Sequence, residues 1–184
     1  MASSSPCSSG EADFFSHVTQ PIGRLDVSAL IMSTASKLSL AAFIALPLLG
    51  GAAIGVTASP DAWYDALKKP FFNPPNWVFG PVWTVLYIII GIAGWRTWQR
   101  RYEGLAMQVW FAQLVLNFLW TPVFFIAHAL ATALAIALAM LGAILCFIAL
   151  TWNSDRVSAW LFVPYAAWVG FAAELNAALL YLNT

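Results

Sequence analysis

Charge is what this sequence has least of. Eight basic and eight acidic residues are spread over 184 positions, 9% in all, against roughly 25% in an ordinary soluble domain. The chain lacks the polar surface that a water-exposed globule needs. Its net charge is zero, which removes the basic footprint required for nucleic acid, so no such partner is expected. Its two cysteines are Cys7 in a polar stretch and Cys146 in an apolar one; they offer no pair for a disulfide and no metal site. The two histidines, His17 near the N-terminus and His128 in a turn, cannot form an in-membrane pair of axial haem ligands. A P-loop, an HExxH, a CxxC and triad spacing are all missing, which argues against hydrolytic and phosphoryl-transfer enzymes. No internal repeat is visible, so an inverted-repeat transporter gains no support.

What is plentiful is hydrocarbon. Apolar residues make up 61% of the chain, ten of them tryptophans, and the mean hydropathy is +0.78. Five segments approach the roughly 20 residues that a bilayer core demands: 38–58, 77–98, 105–127, 130–152 and 157–182. The fold class is therefore all-α, a five-helix transmembrane bundle (38–184) whose long, partly helical first loop (59–76) acts as a lid. Links after the lid are short, which makes neighbours in sequence neighbours in space.

Residues 1–37 differ in character. Ser3, Ser4, Ser5, Ser8 and Ser9 with Pro6 and Gly10 open a flexible, Ser-rich tail that is too polar to span. A basic region followed by an apolar one is missing, so it does not read as a secretory signal. Met32 is compatible with an upstream start in the sequence as given.

The lid gathers charge and proline. Asp61, Asp65, Lys68 and Lys69 precede Pro70, Pro74, Pro75 and Pro81, which forbid one continuous helix. Ser59 is suited to cap a short helix over 60–67, with Pro60 at its first position and Asp61 in its first turn. Basic residues outside the lid (Arg24, Lys37, Arg96, Arg100, Arg101 and Arg156) fall on the side of the N-terminus. Only Lys68 and Lys69 fall on the other, which predicts a cytoplasmic N-terminus.

Small residues suggest packing. Gly51 and Gly55, and the stripe Ala131, Ala135, Ala139 and Ala143, suit close helix approach within the bundle or, alternatively, at a dimer seam. Polar and aromatic residues then mark faces. At 100° per residue, Trp110, Gln113, Asn117, Trp120 and Phe124 lie within about 80° of one another on the third span. Phe79, Trp83, Tyr87 and Gly94 share a face of the second span, and Trp168, Ala172 and Asn176 one of the fifth. Three such faces can line one apolar small-molecule pocket, and each indole brings an N–H that needs a partner. Trp63, Trp77, Trp95, Trp98, Trp152 and Trp160 stand near span ends, where tryptophan anchors at the interface. Glu174 is an intramembrane acid about 200° from Ala172, so it should not face that pocket. His128 reads as an exposed turn residue.

The order Trp63-Tyr64, Lys69-Pro70, Pro74-Pro75, Trp77 to Trp83, then Gln113-Leu114, Asn117, Trp120-Thr121-Pro122, then Pro164-Tyr165, Trp168 and Leu175-Asn176 resembles the translocator protein family, also called tryptophan-rich sensory proteins, over roughly residues 40 to 183. Phe71-Phe72 departs from it, since many members carry tryptophans there. The resemblance implies a membrane receptor for porphyrins such as protoporphyrin IX and for other flat hydrophobic ligands, sterols or benzodiazepine-type drugs among them. No cofactor is required; the porphyrin is the ligand. The resemblance places the ligand pocket on Trp83, Asn117, Trp168 and Ala172; the helix faces add Tyr87, Trp110, Gln113, Trp120 and Asn176 as candidate ligand-binding residues, with Trp63, Tyr64, Lys68, Lys69, Pro70, Pro74 and Pro75 in the lid. Trp83 and Trp168 would stack on the ligand, Asn117 would supply a hydrogen bond, and Lys68 and Lys69 would meet its propionates. The alternatives are a light- or oxygen-dependent porphyrin-degrading enzyme working through Trp83 and Trp168, and a tetrapyrrole or sterol carrier. The tail Leu180-Tyr181-Leu182-Asn183-Thr184 lacks the basic residue of the weak sterol pattern. The family also implies a homodimer in a bacterial cell envelope, or alternatively in the mitochondrial outer membrane.

Overall fold

A bilayer offers no water to the backbone, so a chain this apolar must satisfy its N–H and C=O groups within each crossing segment, which selects helices. The computed structural model describes the backbone of residues 27–58, 60–101 and 104–184, with side chains from 35–58, 60–100 and 104–184. The elements are α1 (Val27–Thr57), α2 (Ala62–Ala66), a 3-10 turn (Asn76–Val78), α3 (Phe79–Arg101), α4 (Leu105–Phe125), α5 (Leu130–Thr151) and α6 (Arg156–Asn183). No strand occurs among the described residues. Among the described residues, five helical stretches are long and apolar enough to cross a membrane: Ala35–Thr57, Asn76–Arg100, Leu105–Phe125, Leu130–Thr151 and Arg156–Asn183. This is a multi-pass membrane protein of all-helical fold.

The first helix begins at Val27 rather than near residue 38, inside the stretch read as tail. Ala29, Leu30 and Met32 are good helix formers, so the helix extends beyond the apolar run that sets the span. Ser3, Ser4, Ser5, Pro6, Cys7, Ser8, Ser9, Gly10, His17 and Arg24 lie outside the described residues, as does Ser59. Asp61, placed by sequence in the first turn of the lid helix, is instead its cap: Oδ1 accepts from the Tyr64 N–H at 3.1 Å, and the helix is only Ala62–Ala66. Its free carboxylate serves that role as well as any serine.

Residues 37–184 form a compact unit. Within it α5 packs against α4 and α6, and α3 against α6 and α4. Ile90, Trp110, Ile144, Phe147, Phe162, Tyr165 and Val169 are buried in the centre. Glycines let α1 settle on this core. A Cβ at Gly91 would lie 2.6 Å from the Ile44 Cα and the Phe43 carbonyl oxygen, and one at Gly94 would sit 2.3 Å from the Trp110 indole. Gly51 makes room in the same way for the Tyr87 ring, while nothing lies within 4 Å of a Cβ at Gly55. The pair is not a helix seam. Of the alanine stripe, Ala131, Ala135 and Ala139 face outward and Ala143 is half-buried, whereas Ala133 and Ala137 face in.

Charge closes one end of the bundle. Asp155, in the α5–α6 link, accepts from Arg96 Nε at 3.2 Å and Nη2 at 2.9 Å, from Arg100, and from Ser158 Oγ at 2.6 Å. Burial alone would raise its pKa. The hydrogen bonds from Arg96 and Ser158 and the charges of Arg96 and Arg100 outweigh burial and hold the carboxyl below its usual range. The cavity described next lies toward the opposite end.

Candidate functional site

At the lid end, α1, α3, α4, α5 and α6 enclose a cavity of about 600 Å³, within the 300–1,000 Å³ range of small-molecule sites. Its aromatic wall comes from Phe79, Trp83 and Tyr87 on α3, Trp120 and Phe125 on α4, Trp168 on α6, and Tyr64 from the lid. The three faces read from sequence do converge. Phe79 meets Trp168 edge-on with centroids 5.9 Å apart, and Trp83 lies 5.3 Å from Tyr87 and 6.3 Å from Tyr165. Asn117 and Ala172 also line the cavity. The indole N–H groups of Trp120 and Trp168 are buried without a hydrogen-bond partner among the described residues. A buried donor left unpaired is costly, so each is a ready contact for an acceptor.

Trp110, Gln113 and Asn176 do not reach this space. Trp110 is fully buried, its Nε1 donating to the Ile90 carbonyl at 3.0 Å. Gln113 is equally buried, bound to the Trp110 carbonyl at 2.8 Å and to the Tyr165 hydroxyl at 2.8 Å. Asn176 serves α5: its amide donates to the Leu130 carbonyl and accepts from the Leu134 N–H, both at 3.0 Å. Glu174 is exposed and stands apart from the lining, as its angle predicted.

Sequence reasoning missed the contribution of α1, where Leu48, Gly51, Ala52 and Gly55 line the cavity. Small apolar residues in a small, apolar span carry no distinguishing signal. It also missed Tyr165, which joins α6 to the polar residues of α4. Asn117 Nδ2 donates to the Tyr165 hydroxyl at 3.1 Å, and the Tyr87 hydroxyl donates to Asn117 Oδ1 at 3.0 Å.

The lid is fastened at both ends. At its start, Trp63 stacks on His128 with centroids 4.0 Å apart and planes 17° apart, and His128 Nε2 lies 3.4 Å from Asp61 Oδ2. His128, expected to be a plain exposed turn residue, is thus part of a clasp. It adopts a left-handed backbone (φ 53°), a strained conformation for a residue with a side chain. The Tyr64 N–H first, and then His128, hold the Asp61 carboxyl below its usual pKa although burial opposes them. At the far end, the Lys68 N–H donates to Asn183 Oδ1 at 2.9 Å and Asn183 Nδ2 returns a bond to the Lys68 carbonyl at 3.1 Å. Lys69 Nζ donates to the Asp65 carbonyl at 3.2 Å and sits 4.6 Å above the ring of Tyr64, itself a lining residue. Trp63, Lys68, Lys69, Pro70, Pro74 and Pro75 are outside the lining, whereas Pro60 and Tyr64 are in it.

Residues 43–182 match the model of the TspO/MBR family. The tryptophan-rich sensory protein of Cereibacter sphaeroides is 43% identical over 136 residues, covering 72% of this chain and 84% of the relative. Protein CrtK of Rhodobacter capsulatus is 38% identical over 150 residues, covering 77% and 89%. The translocator protein of Sus scrofa is 32% identical over 142 residues, covering 73% and 83%.

Proposed function

This chain belongs to the TspO/MBR family, and on that premise we propose that it is a membrane receptor for flat hydrophobic ligands, porphyrins such as protoporphyrin IX first among them. The observation that carries the reading is the cavity itself, where three tryptophans from three helices face one space of about 600 Å³ beneath the lid. Flat π-systems stack on such walls, and the unpartnered N–H groups of Trp120 and Trp168 favour a ligand with acceptors at its edge. Lys69, above the ring of Tyr64, is suited to a carboxylate. Sterols and benzodiazepine-type drugs fit the same apolar description.

Two other readings share the cavity. In the first, Trp83 and Trp168 react with a bound porphyrin under light or oxygen and degrade it. In the second, the protein carries tetrapyrroles or sterols across the bilayer. The charged end formed by Arg96, Arg100 and Arg156 supports a cytoplasmic N-terminus in a bacterial envelope, with the mitochondrial outer membrane as the alternative setting. The outward stripe of Ala131, Ala135 and Ala139 suits a second copy of the chain.

Titration of the purified protein with protoporphyrin IX, followed by tryptophan fluorescence, tests the receptor reading. Saturable quenching that weakens in Trp168→Phe or Trp83→Phe is expected; quenching that rises linearly and equally in all three refutes it. Illumination of the complex separates the enzyme, since loss of the porphyrin spectrum with a new product requires chemistry beyond binding.

A further inference from the structure

The hydrogen bonds behind the cavity wall have a direction. A backbone carbonyl only accepts, so the Trp110 carbonyl, 2.8 Å from Gln113 Nε2, fixes which end of the Gln113 amide faces it. The Gln113 oxygen is thereby turned toward Tyr165, whose hydroxyl donates to it at 2.8 Å; the Met140 sulfur, 3.4 Å from the same hydroxyl, is likewise only an acceptor. With its proton committed, the Tyr165 oxygen accepts from Asn117 Nδ2 at 3.1 Å. That contact turns the Asn117 oxygen toward Tyr87, whose hydroxyl proton is in turn directed to it at 3.0 Å. Reversing any link would leave a buried amide oxygen without a donor, because Gln113, Asn117 and Tyr165 are almost wholly buried.

We propose that this relay makes the Tyr87 hydroxyl an acceptor toward the cavity, so that the site selects ligands presenting an N–H or O–H at that wall and disfavours those presenting a carbonyl or ether oxygen there. Tyr165 and Gln113, which do not line the cavity, act as positioning residues for this selectivity. Ligand polarity is thus set four residues back, at the Trp110 carbonyl. A ligand oxygen opposite Tyr87 would set lone pair against lone pair. The inference rests on the cavity being a seat for flat apolar ligands, and it specifies the donor chemistry such a ligand needs.

Carbazole and dibenzofuran are flat tricycles of nearly equal shape that differ in an N–H against a ring oxygen, and their binding to the full chain in lipid nanodiscs can be measured by calorimetry. Carbazole should bind more tightly by about two- to tenfold, the value of one net hydrogen bond. Tyr165→Phe removes the acceptor that holds the Asn117 amide, leaving it free to turn over, and the ratio should fall toward one; Gln113→Leu gives a second route to the same loss. A merely structural role for Tyr165 would weaken both tricycles alike and leave the ratio intact, which would overturn the relay. Equal binding of the two by the unaltered protein, or a preference for dibenzofuran, overturns the proposal and leaves the flat-ligand reading standing. Saturable binding of neither overturns both.

Discussion

Replacing Asp155 with asparagine keeps the shape of the side chain and removes its charge, at a point where one carboxylate gathers four hydrogen bonds. The Asp155 side chain retains only 3% of its exposure, whereas Arg96 retains 26% and Arg100 48%. Breaking a fully buried pair costs about 3–5 kcal/mol. Here both arginines can rehydrate, so the cost should be nearer 2 kcal/mol, or roughly 4–8 °C in Tm for a unit of this size. The pH dependence follows from the sign of the shift. The folded carboxyl titrates below its unfolded value of about 3.9, so its contribution is fully present above pH 4 and is lost as the pH falls through the lower folded pKa. Thermal unfolding in detergent, read by circular dichroism, should therefore show Asp155→Asn well below the unaltered protein at pH 7, with the gap closing as the pH falls below about 4. Ligand binding should not change. Arg96 is thirteen residues along α3 from Trp83, a rise of about 20 Å. Equal melting at pH 7, or a gap that persists unchanged through the acid range, would refute the account of that cluster.

Two further substitutions probe the lid and the role of Asn176. His128→Ala removes both the Trp63 stack and the Asp61 contact. It should speed tryptic cleavage after Lys68 by about two- to tenfold, the effect of one ring stack, and unchanged cleavage would remove His128 from the clasp. Asn176→Leu leaves the first turn of α5 without its amide partner and should cost about 1–3 kcal/mol in stability while leaving protoporphyrin IX affinity unaltered; a variant of normal stability and impaired binding would put Asn176 back in the site.

The spans were legible because the bilayer imposes one length and one composition on every crossing. Boundaries were less so. Both Ser59 and Asp61 are competent caps, and sequence does not choose between them. Trp83, Asn117, Trp120, Trp168 and Ala172 do surround one space, as their angular positions require, since a face is fixed by helix geometry. Depth along the helix is not fixed by the angle. Trp110 shares a face with Trp120 but lies ten residues away, about 15 Å, where Gly94 opens a slot for it in the core. Asn176, one turn beyond Ala172, meets α5 rather than the cavity. Tyr165 gave no sign of its part because its partners, Gln113 and Asn117, belong to another helix and the pairing is set by how α4 and α6 dock. Trp63 looked like an interfacial anchor for the same reason: its partner His128 is far along the chain.

The indole-lined cavity is the proposed seat of the ligand. Ala172 forms part of its wall, so Ala172→Trp fills the space from within, whereas Leu145→Trp changes a residue that is 53% exposed on the outer surface. Protoporphyrin IX affinity, measured by saturable tryptophan quenching in nanodiscs, should fall by more than about tenfold, or 1.4 kcal/mol, in Ala172→Trp and hold steady in Leu145→Trp. Equal affinity in both variants and in the unaltered protein would contradict the account, because the porphyrin would then be binding elsewhere.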